Sequence, residues 1–141
     1  MNTTDVDTKQ LVLRYYEEVW GKGNVEVIDD VLAPDHVDET PPPGFDGSRE
    51  AQKQIAAWMR DTQRDKTIDV LDVVIDGDRV AGVWRMSWTQ IGDLWGMLPA
   101  DGKRIELQGM DYFVLRNGRI VRTRHVENWL AVVSQLGAFG A

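Results

Sequence analysis

The chain has 141 residues, with 16 Lys+Arg against 23 Asp+Glu and a formal net charge of −7. That length predicts a single domain over residues 1–141, and 43% hydrophobic with 28% charged residues is the composition of a chain with a real core, not of a disordered one. The acidic balance repels phosphate backbones and no Lys/Arg cluster offsets it, so nucleic acid and anionic membrane surfaces are disfavoured as partners, and a small, neutral or weakly anionic ligand is expected. The absence of cysteine excludes a disulfide framework, a thiolate metal site and a cysteine nucleophile. The start MNTTDVDTKQ lacks the basic segment and apolar run of a signal peptide, and no apolar stretch approaches ~18 residues, so a cytoplasmic protein is the default expectation.

In chain order, Leu11, Val12, Tyr15, Tyr16, Val19 and Trp20 recur at helical spacing, and Gly21 and Gly23 follow as a stop. Asn24 opens a second, shorter helix through Val25, Ile28 and Leu32, ended near Pro34. His36 to Thr40 reads as a short extended piece before Pro41-Pro42-Pro43-Gly44, and Ser48 caps a third helix that runs to about Thr62. The period then changes from helical to alternating. Ile68 to Ile75 and Arg79 to about Ile91 are strands joined at Asp76-Gly77-Asp78. After a Pro/Gly/Asp loop, Lys103 to Leu115 and Arg119 to Trp129 form a hairpin about Asn117-Gly118, and Leu130 to Leu136 is a short tail.

Helices first and long strands after make an α+β fold, a curved and mostly antiparallel sheet whose concave side the N-terminal helices close into a pocket. With Asn117 and Gly118 as the two turn residues, Asp111 faces Arg124 and Phe113 faces Arg122. Asp111, Phe113, Arg122, Arg124 and Asn128 then share one face with Leu107, Leu115, Ile120 and Val126. A carboxylate on such a face is a candidate proton acceptor, against the plainer reading of an ion pair that satisfies two half-buried charges. His125 and Glu127 fall on the opposite face as a base with an orienting carboxylate, unless a bulge in the last strand turns His125 toward Asp111. The alternative for His125 is a surface or subunit-contact histidine.

Six tryptophans, four of them in the second half, supply flat surfaces for a large core or a ring-shaped ligand. Trp84, Met86, Trp88 and Gln90 share one face of the long strand, two indoles and a thioether for a polycyclic ligand with Gln90 as polar anchor, or ordinary core. Trp95 and Met97 form a lid or a subunit contact. The two histidines, His36 and His125, have no metal-ligand spacing, and no phosphate loop, dinucleotide fingerprint or nucleophile elbow occurs, so neither a metal nor a bound cofactor is expected.

The stretch RYYEEVWGKGNVEVIDDVLAPDHVDETPPPGFDG, then RVAGVWRMSW, WGMLPADGKRIELQGMDYFVLRNGRIV and VVSQLG, in that order and spacing, resembles the SnoaL-like polyketide cyclase family of the nuclear transport factor 2-like fold. The resemblance implies a cone-shaped hydrophobic cavity (an α+β barrel), a homodimer or higher homo-oligomer, and cofactor-independent chemistry on an aromatic polyketide. It also implies an acid near the end of the last strand and a histidine on its neighbour, together moving the protons of an intramolecular aldol closure. Asp111 matches a position that the family fills with His or Asp. The expected acid falls on Asn128, however, a tryptophan of the pattern is replaced by Arg124, and Trp88 stands where a small residue is usual. His36 lies in a segment that lines the mouth of the pocket in this family.

The expectation is therefore a cyclase of anthracycline-type ring precursors, with Asp111 and His125 catalytic and His36, Trp84, Met86, Trp88, Gln90, Phe113, Arg124 and Asn128 binding substrate. Two alternatives stand beside it. One is cofactor-free hydroxylation of a polycyclic substrate by oxygen, with a reductase partner supplying the reduced ring. The other is a binding domain without catalysis.

Overall fold

In the computed structural model, which describes residues 3–94 and 102–140, α1 (Thr3–Arg14) continues into π-helical turns at Tyr15–Gly21. A single 3-10 turn, Val25–Val27, leads into α2 (Ile28–Val31). Next come β1 (Leu32–Asp38), α3 (Arg49–Thr62), β2 (Gln63–Asp76), β3 (Arg79–Gln90), β4 (Arg104–Arg116), β5 (Arg119–Glu127) and α4 (Trp129–Gln135). None of the described helices is long and apolar enough to cross a membrane. The expected loop residues Trp95 and Met97 lie outside the described residues.

The five strands form one curved, unclosed sheet in the order β1-β5-β4-β3-β2. Three antiparallel pairings build it, and β1 joins β5 in parallel. The second predicted helix is cut short because Leu32 already pairs with Ile120. Pro34 is tolerated within β1 because an edge strand has one side free of ladder bonds. The third helix begins where Ser48 accepts a hydrogen bond from the Ala51 amide at 3.1 Å, and it buries Ala51, Gln52, Ala56 and Met59 against the sheet.

Along β3 every second residue from Val80 to Gln90 is buried, and these residues meet Tyr15, Tyr16 and Val19 of the π-helical turns in the cup of the sheet. Two glycines make this close approach possible. A Cβ at Gly82 would collide with the Tyr16 hydroxyl, and one at Gly109 with the Trp84 indole. Both neighbours so admitted line the main cavity of the cup.

Candidate active site

The β4–β5 hairpin follows the expected register only next to its turn, where Arg116 pairs with Arg119 and Leu115 with Ile120. From there Val114 pairs with Arg122, so Val121 is an extra residue on β5 with no opposite number, a β-bulge. Beyond it Asp111 faces His125, Phe113 faces Thr123 and Gly109 faces Glu127. The reading that set Asp111 against Arg124 and Phe113 against Arg122 is thereby corrected, because one inserted residue exchanges the two faces of a strand. Arg122 and Arg124 turn outward and pair with Glu39, at 2.9 and 2.6 Å.

The inward residues line a cavity of about 100 Å³ under the π-helical turns and α3. Its apolar wall includes Tyr15, Trp20, Ile55, Met59, Trp84, Met86, Leu107, Phe113 and Trp129, and its polar residues are Tyr16, Asp38, Gln52, Asp111, Thr123, His125 and Glu127. Of the expected site residues, Asp111, His125, Trp84, Met86 and Phe113 are brought together here.

The others are elsewhere. Trp88 and Gln90 are enclosed in the core, the indole N–H donating to Gln90 Oε1 at 2.9 Å and the ring packing near Trp129. Gln90 is thus an internal partner for an otherwise unsatisfied indole and not an anchor for a ligand. Asn128 caps α4 by accepting from the Ala131 amide at 3.3 Å. His36 is buried against Thr123, with Nε2 and Oγ1 2.8 Å apart, and burial pushes its pKa down to about 4, so it is neutral at pH 7.

Asp111 receives two hydrogen bonds on Oδ2, from the Tyr16 hydroxyl at 2.6 Å and the Trp84 indole at 2.8 Å. Its Oδ1 has no protein partner among the described residues. Burial raises its pKa to about 6, a rise that the Tyr16 bond moderates and the nearby Glu127 charge reinforces. A carboxylate tuned to that range is mostly ionised at neutral pH and basic enough to take a proton from carbon beside a carbonyl.

His125 lies between two carboxylates, with Nδ1 at 2.5 Å from Glu127 Oε1 and Nε2 at 2.8 Å from Asp38 Oδ2. Burial opposes its charge, but the two carboxylates outweigh it and lift the pKa to about 10. The ring is an imidazolium with both N–H groups donating. Asp38 is fixed in turn by the Gln52 amide at 3.0 Å and the Thr40 backbone N–H at 2.9 Å. Burial penalises its charge, yet the His125 bond and these donors hold its pKa below the usual carboxylate range. Asp111, His125 and Glu127 each offer an atom within 4.8 Å of one another, a spacing that suits a cation. With both ring nitrogens protonated, however, His125 has no lone pair to give one.

Asp38 and Tyr16 line the cavity and bond to His125 and Asp111, a place that sequence reasoning did not assign to them. The alternation of His36 and Asp38 on one short strand was the available signal for Asp38. Its contact with His125 depends on the parallel pairing of β1 with β5, which no local pattern announces. Tyr16 was legible only as a core position of a helix.

The sequence profile of the SnoaL-like polyketide cyclases matches residues 10–136. The chain belongs to the SnoaL-like polyketide cyclase family. Solved structures with this fold include TsrD of Streptomyces laurentii, with 22% identity and a TM-score of 0.86 over 99% of both chains. IdmH of Streptomyces antibioticus, a proposed polyketide cyclase, has 26% identity and a TM-score of 0.79 over 92% of this chain and 98% of its own. AclR of Streptomyces galilaeus, a proposed hydroxylase, has 19% identity and a TM-score of 0.83 over 95% and 98%. A comparison with curated proteins returns no match. In this member of the family Asp111 of β4 and His125 of β5 are direct partners across one ladder.

Proposed function

We propose that the protein is a cofactor-independent cyclase of aromatic polyketide biosynthesis that closes a ring by intramolecular aldol addition. The observation that carries this reading is the cross-strand pair Asp111 and His125 in one apolar cavity, a base of raised pKa opposite an imidazolium held between two carboxylates.

Asp111 Oδ1 takes a proton from the carbon beside a substrate carbonyl. The enolate carbon attacks a second carbonyl of the same molecule, forming the new C–C bond. The resulting alkoxide takes a proton from His125, after which the Asp111 proton returns to the ring. Donation to substrate requires one carboxylate to release its ring N–H. Glu127 is the more open of the two, 18% exposed against 1% for Asp38, so Nδ1 is the donor. The cavity holds the two reacting carbons together and keeps bulk water from quenching the enolate.

The test is the mass of the product after incubation with anthracycline-type ring precursors, reduced and unreduced, in air and without oxygen. A product isomeric with the substrate, or lighter by one water, and indifferent to oxygen supports the cyclase. Gain of one oxygen atom only in air would replace it with the hydroxylase reading. Ligand retention with no product, unchanged by Asp111→Ala and His125→Ala, would leave a binding domain.

A further inference from the structure

Trp20 also lines a second pocket, of about 190 Å³, and among the described residues it alone lines both. The pocket lies where the π-helical turns end at Gly21–Gly23, against the last turn of α3 and the first residues of β2. Lys22, Arg60 and Lys66 line it, with no carboxylate among the described lining residues, a local reversal of charge in a chain of net −7.

Two of these cations are already occupied, Lys22 by Glu18 at 3.2 Å and Arg60 by Asp61 at 3.1 Å. Lys66, half-buried, has no hydrogen bond or ion pair among the described residues. Gln63 beside it is 7% exposed, its side-chain amide has no hydrogen-bond partner among the described residues, and its Oε1 is fully enclosed. A buried amide without partners is costly unless something else supplies its bonds.

The backbone is distorted in a way that builds this arrangement. Between Arg64 and Thr67 the β2–β3 register slips, and Asp65 takes a left-handed φ of 52°, which aspartate tolerates better than most residues. The slip breaks the two-residue alternation, so that Gln63 and Lys66, three apart, both line the pocket.

We propose that this pocket binds a small oxyanion, a carboxylate or phosphate group, between the Lys66 ammonium and the Gln63 amide. With Oε1 enclosed, the Gln63 amide NH₂ is the donor left for the anion, and Lys66 adds a charged donor. Burial pushes the Lys66 pKa down to about 7. A bound anion opposes that shift, so binding above pH 7 takes up a proton. The pocket is independent of the catalytic reading and stands whether or not Asp111 is a base.

The experiment is calorimetric titration of the full chain with sodium phosphate and, separately, sodium acetate at low salt, in two buffers of different ionisation enthalpy at about pH 8. One saturable site per chain is expected, with buffer-dependent heats that report proton uptake. Lys66→Met and Gln63→Leu should each weaken it by roughly tenfold or more, the loss of one charged or buried partner. Lys66→Arg should retain the site, as should Asp111→Asn, whose side chain is in the other cavity. Binding of one anion but not the other identifies the group preferred. Absence of saturable binding by both, or equal affinity in folded Lys66→Met, overturns the proposal. If circular dichroism shows that Lys66→Met does not fold, Gln63→Leu decides in its place.

Discussion

Asp111 faces His125 across the β4–β5 ladder because Val121 has no partner on β4. Without that single extra residue the same hairpin would set Asp111 against Arg124, as an ion pair, and would place His125 on the outer face. A bulge here selects which of two charged neighbours meets the base. Its position beside the cavity fits the use of bulges to aim a side chain.

Replacement of Asp111 by Asn should lower turnover by about 10²- to 10⁴-fold, the usual range for loss of a positioned acid or base. The amide oxygen still accepts from Tyr16 and Trp84, so the fold is expected to survive. The folded-state pKa of Asp111 is raised from 3.8 to about 6, so folding stability falls as pH rises through that window and stays reduced above it. The Asn variant lacks this penalty. Thermal melts at neutral pH should show it at least as stable as the parent while product assays show it inactive.

For His125 stability also falls with rising pH, but here the raised pKa reports a charged form that the fold favours. Its pKa is raised from 6.5 to about 10, so the stability it contributes is complete below pH 6.5 and is lost as pH rises through about 10. A His125→Gln variant should have a flatter melting temperature against pH across that interval. The pH profile of turnover should be bell-shaped, with an acid limb near Asp111 and a basic limb near His125. A profile with no basic limb up to about pH 10 would remove the imidazolium from the mechanism.

Tyr16→Phe removes a hydrogen bond that lowers the pKa of Asp111, so the acid limb of the profile should move to higher pH while the fold is kept. Gly82→Ala forces the Tyr16 hydroxyl away by collision, and it should produce the same shift with an added loss of stability. The two variants read together separate the hydrogen bond from the packing.

Arg124→Ala and Glu127→Gln test the corrected register. Arg124 is on the outer face with Glu39, so its loss should leave turnover within about twofold and stability little changed, as for an exposed ion pair. Glu127→Gln weakens the hold on the His125 proton and should draw the basic limb to lower pH. The reverse pattern, with Arg124 essential and Glu127 silent, would reinstate the uninterrupted hairpin.

Trp88→Ala should be a stability variant. The indole is fully buried and bonded to Gln90, so truncation is expected to cost about 3–5 kcal/mol in chemical denaturation. Trp84→Phe, which removes an N–H donor to Asp111 from the cavity wall, should act first on turnover.

The sequence by itself determined the α+β order of elements, the Asn117-Gly118 hairpin, the single inward face from Val80 to Gln90 and the candidacy of Asp111 and His125, because hydrophobic period and turn chemistry are local signals. The tertiary structure decided which of those candidates meet. The Val121 bulge, which the residue pattern permits but does not locate, turned His125 inward and sent Arg122 and Arg124 out to Glu39. The parallel pairing of β1 with β5, between segments some 90 residues apart, delivered Asp38 to the second ring nitrogen of His125. The close approach of Tyr16 to Gly82 delivered the hydroxyl that Asp111 accepts. Each of these is a contact between distant parts of the chain, whose geometry is fixed by how the sheet curves and packs and not by the spacing of residues along it.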